Sequence, residues 1–259
     1  MRVRAERRLK ISVVVLNWKR PFWLQRMILP RLARHALVDE IVVSHGRADT
    51  RFEFASRHCV VVNRDDHELN AVHGLSLRFV AAEQARNEAV LHIDDDLIVS
   101  SGAITGLRDR LEAEPNRLHG LIGRGVDASY RCLNERIRDG DVPILLTRCV
   151  MTHRSWARAF LDAAPLAAPL LRRGRPLWNG EDIFLSLLSI QRSGLLPRAH
   201  RMPFFNIPWI GRTGIRGQAA PPAGTDQLGH FEYREWLTQE LVRILGIRAP
   251  LDRYLSSIG

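Results

Sequence analysis

The sequence places three consecutive carboxylates, Asp94 to Asp96, directly after an apolar run over residues 89–93. A short apolar run of this kind is typical of a buried strand. The three carboxylates cannot continue into a core, because a buried charge without a partner costs too much free energy. They are therefore expected at the carboxyl end of a strand, where open α/β sheets bind their ligands.

In an extended chain, alternate side chains point to the same side, and this geometry indicates what the carboxylates could bind. Asp94 and Asp96 should point to the same side of the backbone. Two carboxylates so placed form a hard oxygen site for Mg²⁺ or Mn²⁺, usually completed by water and substrate phosphates. A polar loop that caps the next helix is the simpler alternative, but carboxylates clustered at a strand end favour the metal–phosphate interpretation.

The first hundred residues alternate strand and helix patterns. The predicted strands cover residues 11–16, 40–44, 59–62 and 89–93, and the predicted helices cover 21–35 and 75–86. Such alternation favours an α/β fold with a mainly parallel sheet and helices on both faces. Because no internal repeat and no clear linker occurs, we expect a single domain over residues 1–259.

The second half has looser patterns. We predict a helix over 102–114 capped by Ser101, a strand over 142–151, an apolar helix over 156–171, a helix over 180–192 ended by Gly194, and a closing helix over 230–246. Residues 211–229 are rich in glycine and proline, which predicts a flexible loop.

Composition excludes several classes of protein. The net charge of +10 is carried almost entirely by arginine, since Lys10 and Lys19 are the only lysines among 38 basic residues. That skew indicates codon bias rather than a nucleic-acid surface, and no aromatic stacking motif accompanies it. The three cysteines form no CxxC pair, which favours a reducing cytoplasm without a zinc ribbon or disulfide framework.

Targeting signals are also lacking in the sequence. Residues 1–10 are basic but have no apolar segment of a secretory signal. No apolar run reaches the roughly 18 residues that span a bilayer. We therefore expect a cytoplasmic protein that is soluble or peripheral to the inner face of a membrane.

Two further pairs of residues are candidates for binding or catalysis. Glu181 and Asp182 begin an apolar helix, where acids cap the helix and complement its dipole, but where they can also orient a sugar or stabilise positive charge. His230 and Arg234 are four residues apart on one helical face and could close over a diphosphate, which arginine binds bidentately. An exposed helix face is the simpler interpretation of the second pair. No GxGxxG, GxxxxGK[ST], HExxH or GxSxG motif occurs.

In this order, the motifs resemble the exostosin-type retaining glycosyltransferases of family 64, which have a GT-A fold. The resemblance covers about residues 10–245. The matching pieces are Ile11 to Asn17, Ser76 to Phe79, His92 to Asp96, Gly123-Arg124, Asn179 to Ile183, and His230 with Arg234. The resemblance implies a mainly parallel, Rossmann-like sheet flanked by helices and a smaller mixed sheet on the acceptor side. Residues 10–100 would form the nucleotide-binding half, and residues 101–259 the acceptor-binding and closing half.

The resemblance also implies roles for the acids. Asp96, with Asp94, would bind Mn²⁺ (or Mg²⁺) that bridges the diphosphate of the donor. Asp94 and Asp95 would contact the ribose, the sugar or waters on the metal. Asp182 would lie close to the anomeric carbon, with Glu181 beside it.

The remaining roles implied by the resemblance fall on four residues. Asn17 and Arg78 would contact the donor, Arg234 would lie near the diphosphate, and His230 would be its neighbour in the closing segment. The chain differs from the family in Leu77 before Arg78, in Gly180 before the acidic pair and in the turn Trp18-Lys19-Arg20. These differences bear on the base and sugar more than on the reaction.

The resulting hypothesis is a metal-dependent retaining glycosyltransferase. It would move an N-acetylhexosamine or another hexose from a UDP-sugar to the hydroxyl of a glycan or lipid-linked acceptor. The alternatives are a metal-dependent nucleotidyltransferase acting on a sugar phosphate and a basic nucleic-acid-binding protein. The apolar stretch 156–171, with Arg172, Arg173 and Arg175 after it, would suit peripheral contact with a membrane. A core helix followed by a solvated loop explains the same residues and is favoured.

Overall fold

The computed structural model describes residues 9–18, 20–167, 170, 180–207 and 230–258. The strands are β1 (Ile11–Asn17), β2 (Val38–His45), β3 (Val60–Asp65), β4 (Ala89–Ile93), β5 (Leu97–Val99), β6 (His119–Gly120), β7 (Gly123–Arg124), β8 (Gly140–Asp141), β9 (Ile144–Leu145), β10 (Cys149–His153), β11 (Arg198–Ala199) and β12 (Phe204–Asn206). The α-helices are α1 (Pro21–Trp23), α2 (Leu29–Ala33), α3 (His67–His73), α4 (Leu77–Glu83), α5 (Ser101–Ala113), α6 (Ser155–Ala167), α7 (Glu181–Ser193), α8 (His230–Leu245) and α9 (Arg248–Ile258). A π-helical turn (Leu24–Ile28) joins α1 to α2, and short 3₁₀ turns cover Ala48–Thr50 and Gly74–Ser76.

The central sheet has eight strands in the order β3-β2-β1-β4-β10-β6-β11-β8. Strands β3, β2, β1 and β4 are parallel, whereas β10 is antiparallel to both β4 and β6. The central strands β1 and β4 are almost entirely buried, as expected for parallel strands covered on both faces. Helices α2, α4, α5 and α6 pack against this sheet. The predicted mainly parallel sheet flanked by helices is confirmed.

Two small antiparallel sheets lie beside the central one. They pair β5 with β12 and β7 with β9. The strand predicted over 142–151 is wrong as one element, because Leu146 to Arg148 interrupt it between β9 and β10. The interruption has a structural partner: the Arg148 carbonyl accepts the Asp94 backbone N–H at 3.0 Å. The turn before β10 is thereby fixed against the carboxyl end of β4.

Helix ends follow the sequence signals with one change. Ser100, not Ser101, caps α5, because its Oγ accepts the Ala103 N–H at 3.1 Å. Gly194 follows α7 in the left-handed conformation with φ of 70°, as predicted.

Helix α8 packs closely on the first turn of α7. A Cβ at Gly180, the residue before α7, would lie 2.2 Å from Cδ2 of Leu237 on α8. Glycine therefore permits this approach. It lets side chains of α8 reach the carboxylates that open α7.

The end of the chain adds an element that the patterns missed. After α8, the left-handed Gly246 turns the chain into α9, whose Leu251 and Tyr254 are buried. None of the helices among the described residues is long and apolar enough to cross a membrane. The predicted loop over 211–229, the residue Asn179 of the matching piece before α7, and the basic cluster of Arg172, Arg173 and Arg175 lie outside the described residues.

The central strand β4 carries a histidine that should make stability depend on pH. His92 is fully buried, and burial, followed by the Arg78 charge, lowers its pKa to about 3. The unfolded chain takes up a proton near pH 6.5 that the folded chain excludes, so stability is complete above that pH and falls as pH decreases towards 3. We expect the free energy of unfolding to drop by about 1.5 kcal/mol from this group between about pH 6.5 and pH 5.

Urea unfolding of the parent protein and of His92→Gln at these two pH values measures this effect. Glutamine stays neutral and can still bind the Thr152 hydroxyl, which lies 3.3 Å from Nε2 of His92. The variant should lose this part of the pH dependence. An identical dependence in both proteins would contradict the assignment to His92.

Candidate functional site

A cleft of about 190 Å³, partly open to solvent, lies at the carboxyl ends of β1 and β4. Five arginines and four carboxylates line it: Arg20, Arg78, Arg124, Arg148, Arg234, Asp94, Asp95, Glu181 and Asp182. Arginine and acidic side chains are almost never fully buried unless they are paired, as most of these are. The cleft brings the acid triplet after β4 together with the acidic pair that opens α7.

Asp94 and Asp96 both contact one cationic side chain, although Asp95 and Asp96 lie in a turn and not in the extended geometry from which a common side was predicted. Oδ1 of Asp96 accepts a hydrogen bond from Nη2 of Arg148 at 2.9 Å, and Oδ2 of Asp94 lies 3.6 Å from Nε of the same guanidinium. Asp94 also accepts a 3.1 Å bond from Arg78. Both carboxylates are therefore held by arginines in this structure.

Asp95 lies deeper than its neighbours. Its side chain is 8% exposed, and Oδ1 is 2.5 Å from Nη1 of Arg20. Burial, against the lowering effect of Arg20, raises the pKa of Asp95 to about 6. Its Oδ2 is buried without a hydrogen-bond partner in the described part of the chain. The expectation that all three carboxylates stay out of the interior is wrong for Asp95, because Arg20 supplies the counter-charge that makes its burial tolerable.

Asp182 and Arg234 form a buried bidentate ion pair across 52 residues of sequence. Nη2 of Arg234 donates to Oδ2 at 2.7 Å and Nη1 donates to Oδ1 at 3.1 Å. The two residues are 5% exposed each. Burial alone would lower the pKa of Arg234, but the Asp182 carboxylate outweighs it and raises that pKa. The guanidinium of Arg234 therefore stays charged at the wall of the cleft.

Glu181 lies beside this pair and is likewise buried, with 3% of the residue exposed. Its Oε1 accepts the Thr147 hydroxyl at 2.7 Å and lies 3.7 Å from Nε of Arg78. Burial, and then the neighbouring charge of Asp182, raise the pKa of Glu181. Glu181 is therefore shielded from solvent and helps to hold Arg78 in position.

Arg78 connects the two acidic groups. Beyond its contacts with Asp94 and Glu181, Nη1 donates to the Thr147 carbonyl at 2.9 Å, and the residue is 4% exposed. Its position on α4 therefore ties the strand-end carboxylates to the start of α7. The predicted donor-side location of Arg78 is consistent with its place in the cleft wall.

Asn17 and His230, which were also predicted to bind the donor, are placed differently. Asn17 is 1% exposed at the end of β1, behind the lining residues, where its amide donates to Nδ1 of His45 at 2.9 Å and to the Thr50 carbonyl at 2.8 Å. His230 begins α8, but its side chain lies outside the described residues. The donor-binding roles of Asn17 and His230 stay predictions.

The donor set can be tested for a divalent metal. Among the described residues, no group of three or more His, Cys, Asp or Glu side chains is arranged to hold a metal ion. Asp94 and Asp96 do offer two carboxylates that already enclose one cation, the guanidinium of Arg148. Hard oxygen ligands in this number fit Mg²⁺ or Mn²⁺ when water and a diphosphate supply the remaining positions.

Sequence reasoning missed three residues that contribute to the cleft. Arg20 holds Asp95, Thr147 holds Glu181, and Arg148 lies between Asp94 and Asp96. The turn containing Arg20 directly after β1 was a usable signal, since that turn must lie at the same sheet edge as the acid triplet. Thr147 and Arg148 stand inside an apolar run and gave no local signal.

The comparisons with known proteins agree with this geometry. A family described as "Glycosyl transferase family 64 domain" matches residues 11–254. The chain belongs to glycosyl transferase family 64. A search of curated proteins finds no match to this chain. The narrower likeness to the exostosin-type members of family 64 stays a prediction.

Solved structures support the fold independently. The structure of GalNAc-T7 with UDP, GalNAc and Mn²⁺ has a TM-score of 0.57 to this chain at 13% sequence identity. The match covers 76% of this chain and 43% of the GalNAc-T7 chain. The chain described here therefore spans less than half the length of GalNAc-T7. The likeness shows the GT-A fold. The predicted GT-A fold is therefore confirmed, in a chain that belongs to a glycosyltransferase family.

Proposed function

We propose that this protein is a metal-dependent, retaining transferase that moves a sugar from UDP to an acceptor hydroxyl. The observation that carries the proposal is the cleft that Asp94 lines together with Glu181, Asp182 and five arginines. Asp96 lies next to this lining and is paired with one of its arginines, Arg148. A nucleotide diphosphate carries negative charge that these arginines can bind, and arginine is suited to binding phosphate bidentately. The match to family 64 and the UDP and Mn²⁺ bound by GalNAc-T7 support the same donor and metal.

Asp94 and Asp96 would hold the metal in this proposal. Bound there, Mn²⁺ or Mg²⁺ would act as a Lewis acid on the leaving diphosphate. Arg78 and Arg148 both contact these carboxylates and line the cleft, so they can place positive charge beside the same phosphates. Glu181, through its contact with Arg78, would keep that arginine in position.

Asp182 would stabilise the positive charge that develops at the anomeric carbon. Both of its oxygens are engaged by Arg234, and Oδ1 also accepts the Ile183 N–H at 2.9 Å. A carboxylate held in this way is a poor nucleophile but a fixed negative charge in a desolvated wall. Electrostatic stabilisation of an oxocarbenium-like transition state is therefore favoured over a covalent glycosyl–Asp182 intermediate.

An unsatisfied donor in the lining of the cleft is compatible with uracil as the base. The amide nitrogen of Asn17 donates to Nδ1 of His45, so the proton of this neutral imidazole lies on Nε2. Nε2 of His45, Nε1 of Trp18 and Oδ1 of Asn17 are buried without hydrogen-bond partners among the described residues. Nε1 of Trp18, which lines the cleft, can donate to a carbonyl of uracil. Asn17 and His45 are buried and do not belong to the lining.

A thermal-shift panel of UDP- and GDP-sugars with and without Mn²⁺ tests the proposal. At a hundred times its Kd, a ligand stabilises by about 2.7 kcal/mol, which raises the Tm of a chain of this size by roughly 5–10 °C. We expect this shift for a UDP-sugar only with Mn²⁺, and its loss in Asp96→Ala. Asp252→Ala is the matched control and should keep the shift. It removes a carboxylate on α9 that accepts a hydrogen bond from the Tyr130 hydroxyl, away from the cleft.

Two outcomes of this panel would contradict the proposal. A response to GDP-sugars alone would reject the assignment of the base. Stabilisation by nucleoside triphosphates with release of pyrophosphate would instead indicate a nucleotidyltransferase acting on a sugar phosphate. The acceptor is proposed as a glycan or lipid-linked hydroxyl, and the released UDP in assays with each acceptor class identifies it.

A further inference from the structure

Arg148 occupies the space between the two carboxylates that are proposed to hold the metal. Its Nη2 donates to Oδ1 of Asp96 at 2.9 Å, and its Nε is 3.6 Å from Oδ2 of Asp94. Nη2 also donates to Oδ1 of Asn206 on β12 at 2.9 Å. The guanidinium is thus held by the turn after β4 and by β12, at the position where the carboxylates converge.

The backbone of Arg148 cannot leave this position. Its carbonyl accepts the Asp94 N–H at 3.0 Å, and the next residue, Cys149, begins β10 opposite Ile93 of β4. The side chain is 22% exposed and lines the cleft, so it has room to turn while the backbone stays fixed. Rotation of this side chain into the cleft would open the space between Asp94 and Asp96, while Arg78 stays 3.1 Å from Asp94 and Arg20 stays 3.5 Å from Asp96.

A divalent cation and a guanidinium cannot be held by the same two carboxylates at once. The two positive charges would lie within a few ångströms of each other in a partly buried site, where repulsion is weakly screened. The cleft offers Arg148 a different partner when the donor binds, because the diphosphate brings negative charge to the arginines that line it. Binding of the diphosphate would therefore compensate for the contacts that Arg148 gives up.

We propose that Arg148 is an internal counter-ion that blocks the metal site until the diphosphate of the donor binds, which makes binding of metal and nucleotide strongly cooperative. This inference rests on the proposed metal-dependent function and adds that the diphosphate promotes binding of the metal. Metal alone binds weakly, since it must displace a paired guanidinium. Metal with a nucleoside diphosphate binds tightly, since the displaced guanidinium gains a phosphate partner. Arg148 is in this sense a positioning residue for the metal.

Titration of the full chain with Mn²⁺, followed by the electron paramagnetic resonance signal of free Mn²⁺, tests the inference without relying on activity. In the parent protein, we expect UDP to raise the affinity for Mn²⁺ by a factor within the roughly 5- to 150-fold range of typical coupling. In Arg148→Met, Mn²⁺ alone should bind about tenfold more tightly than in the parent protein, and the effect of UDP should shrink correspondingly. Equal affinities of the two proteins for Mn²⁺ without nucleotide would overturn the inference.

Three further variants make the result specific. Arg148→Lys keeps the charge and should stay close to the parent protein; tightening as large as in Arg148→Met would attribute the effect to packing and overturn the role of the charge. Asn206→Ala removes one anchor of the guanidinium and should tighten Mn²⁺ binding by a smaller factor, which keeps the test valid if Arg148→Met does not fold. Arg158→Met removes an arginine that pairs with Glu83 and Asp162 on the outside of α6, and should change nothing.

The same titration separates this inference from the proposed function. If the parent protein binds UDP equally well with and without Mn²⁺, the metal-dependent function fails. If UDP binding depends on Mn²⁺ but Arg148→Met shows parent-like affinity for Mn²⁺ alone, the function stands and the role of Arg148 fails.

Discussion

Replacing Asp182 by asparagine should lower the turnover number for sugar transfer by about 100- to 1,000-fold, the usual effect of removing one preorganised electrostatic group from an active site. The substitution keeps the shape of the side chain and one oxygen that can still accept from Arg234. It removes the negative charge that would face the developing cation at the anomeric carbon. The loss should therefore appear in turnover, while the affinity for UDP with Mn²⁺ stays nearly unchanged.

Release of UDP from a UDP-N-acetylhexosamine measures this effect, with calorimetric titration of UDP as the measure of binding. Glu240→Gln is the matched control, because it changes a carboxylate to an amide in an ion pair with Arg243 on the exposed face of α8. The control should keep parent-like turnover. Full activity in Asp182→Asn would reject the proposed catalytic role, and a large loss of UDP affinity would move Asp182 to donor binding.

The elements that carry the site were predictable where burial alone determines the structure. Strands β1 and β4 lie in the middle of a parallel sheet, so their sequences are continuous apolar runs that need no partner to be recognised. The acid triplet was predicted at the end of β4 for the same reason. Asp95 and Asp96 lie in a turn, however, so the approach of Asp94 and Asp96 to Arg148 does not follow from strand alternation. Strands β6, β8 and β11 have two residues each and exist through pairing with neighbours, which no local pattern shows.

The arrangement of charges in the cleft was only partly predictable. Asp182 and Arg234 were identified as separate features, one as a helix cap and one as a helical face, because nothing local connects residues 52 positions apart. Their contact depends on Gly180, which allows Leu237 of α8 to approach the start of α7. The number of arginines in the chain also hid the few that matter, since Arg148 is distinguished only by its tertiary position.

The Asp182–Arg234 pair should also be a large determinant of stability. Replacing Arg234 by methionine leaves a carboxylate buried at 5% exposure without its bidentate partner. Breaking a buried pair from one side typically costs about 3–5 kcal/mol. We therefore expect the Tm to fall by roughly 6–20 °C in a protein of this size, together with loss of transfer.

A second variant separates the structural role of the pair from its chemical role. In Asp182→Leu combined with Arg234→Met, both charges are replaced by apolar groups of similar size, which is often neutral or stabilising for a buried pair. We expect the double variant to regain most of the lost Tm in a thermal melt, yet to release no UDP from a UDP-sugar. A double variant that is stable and active would show that the pair only supports the fold. If the single variant Arg234→Met melts like the parent protein, the ion pair is not the buried contact that links α7 to α8.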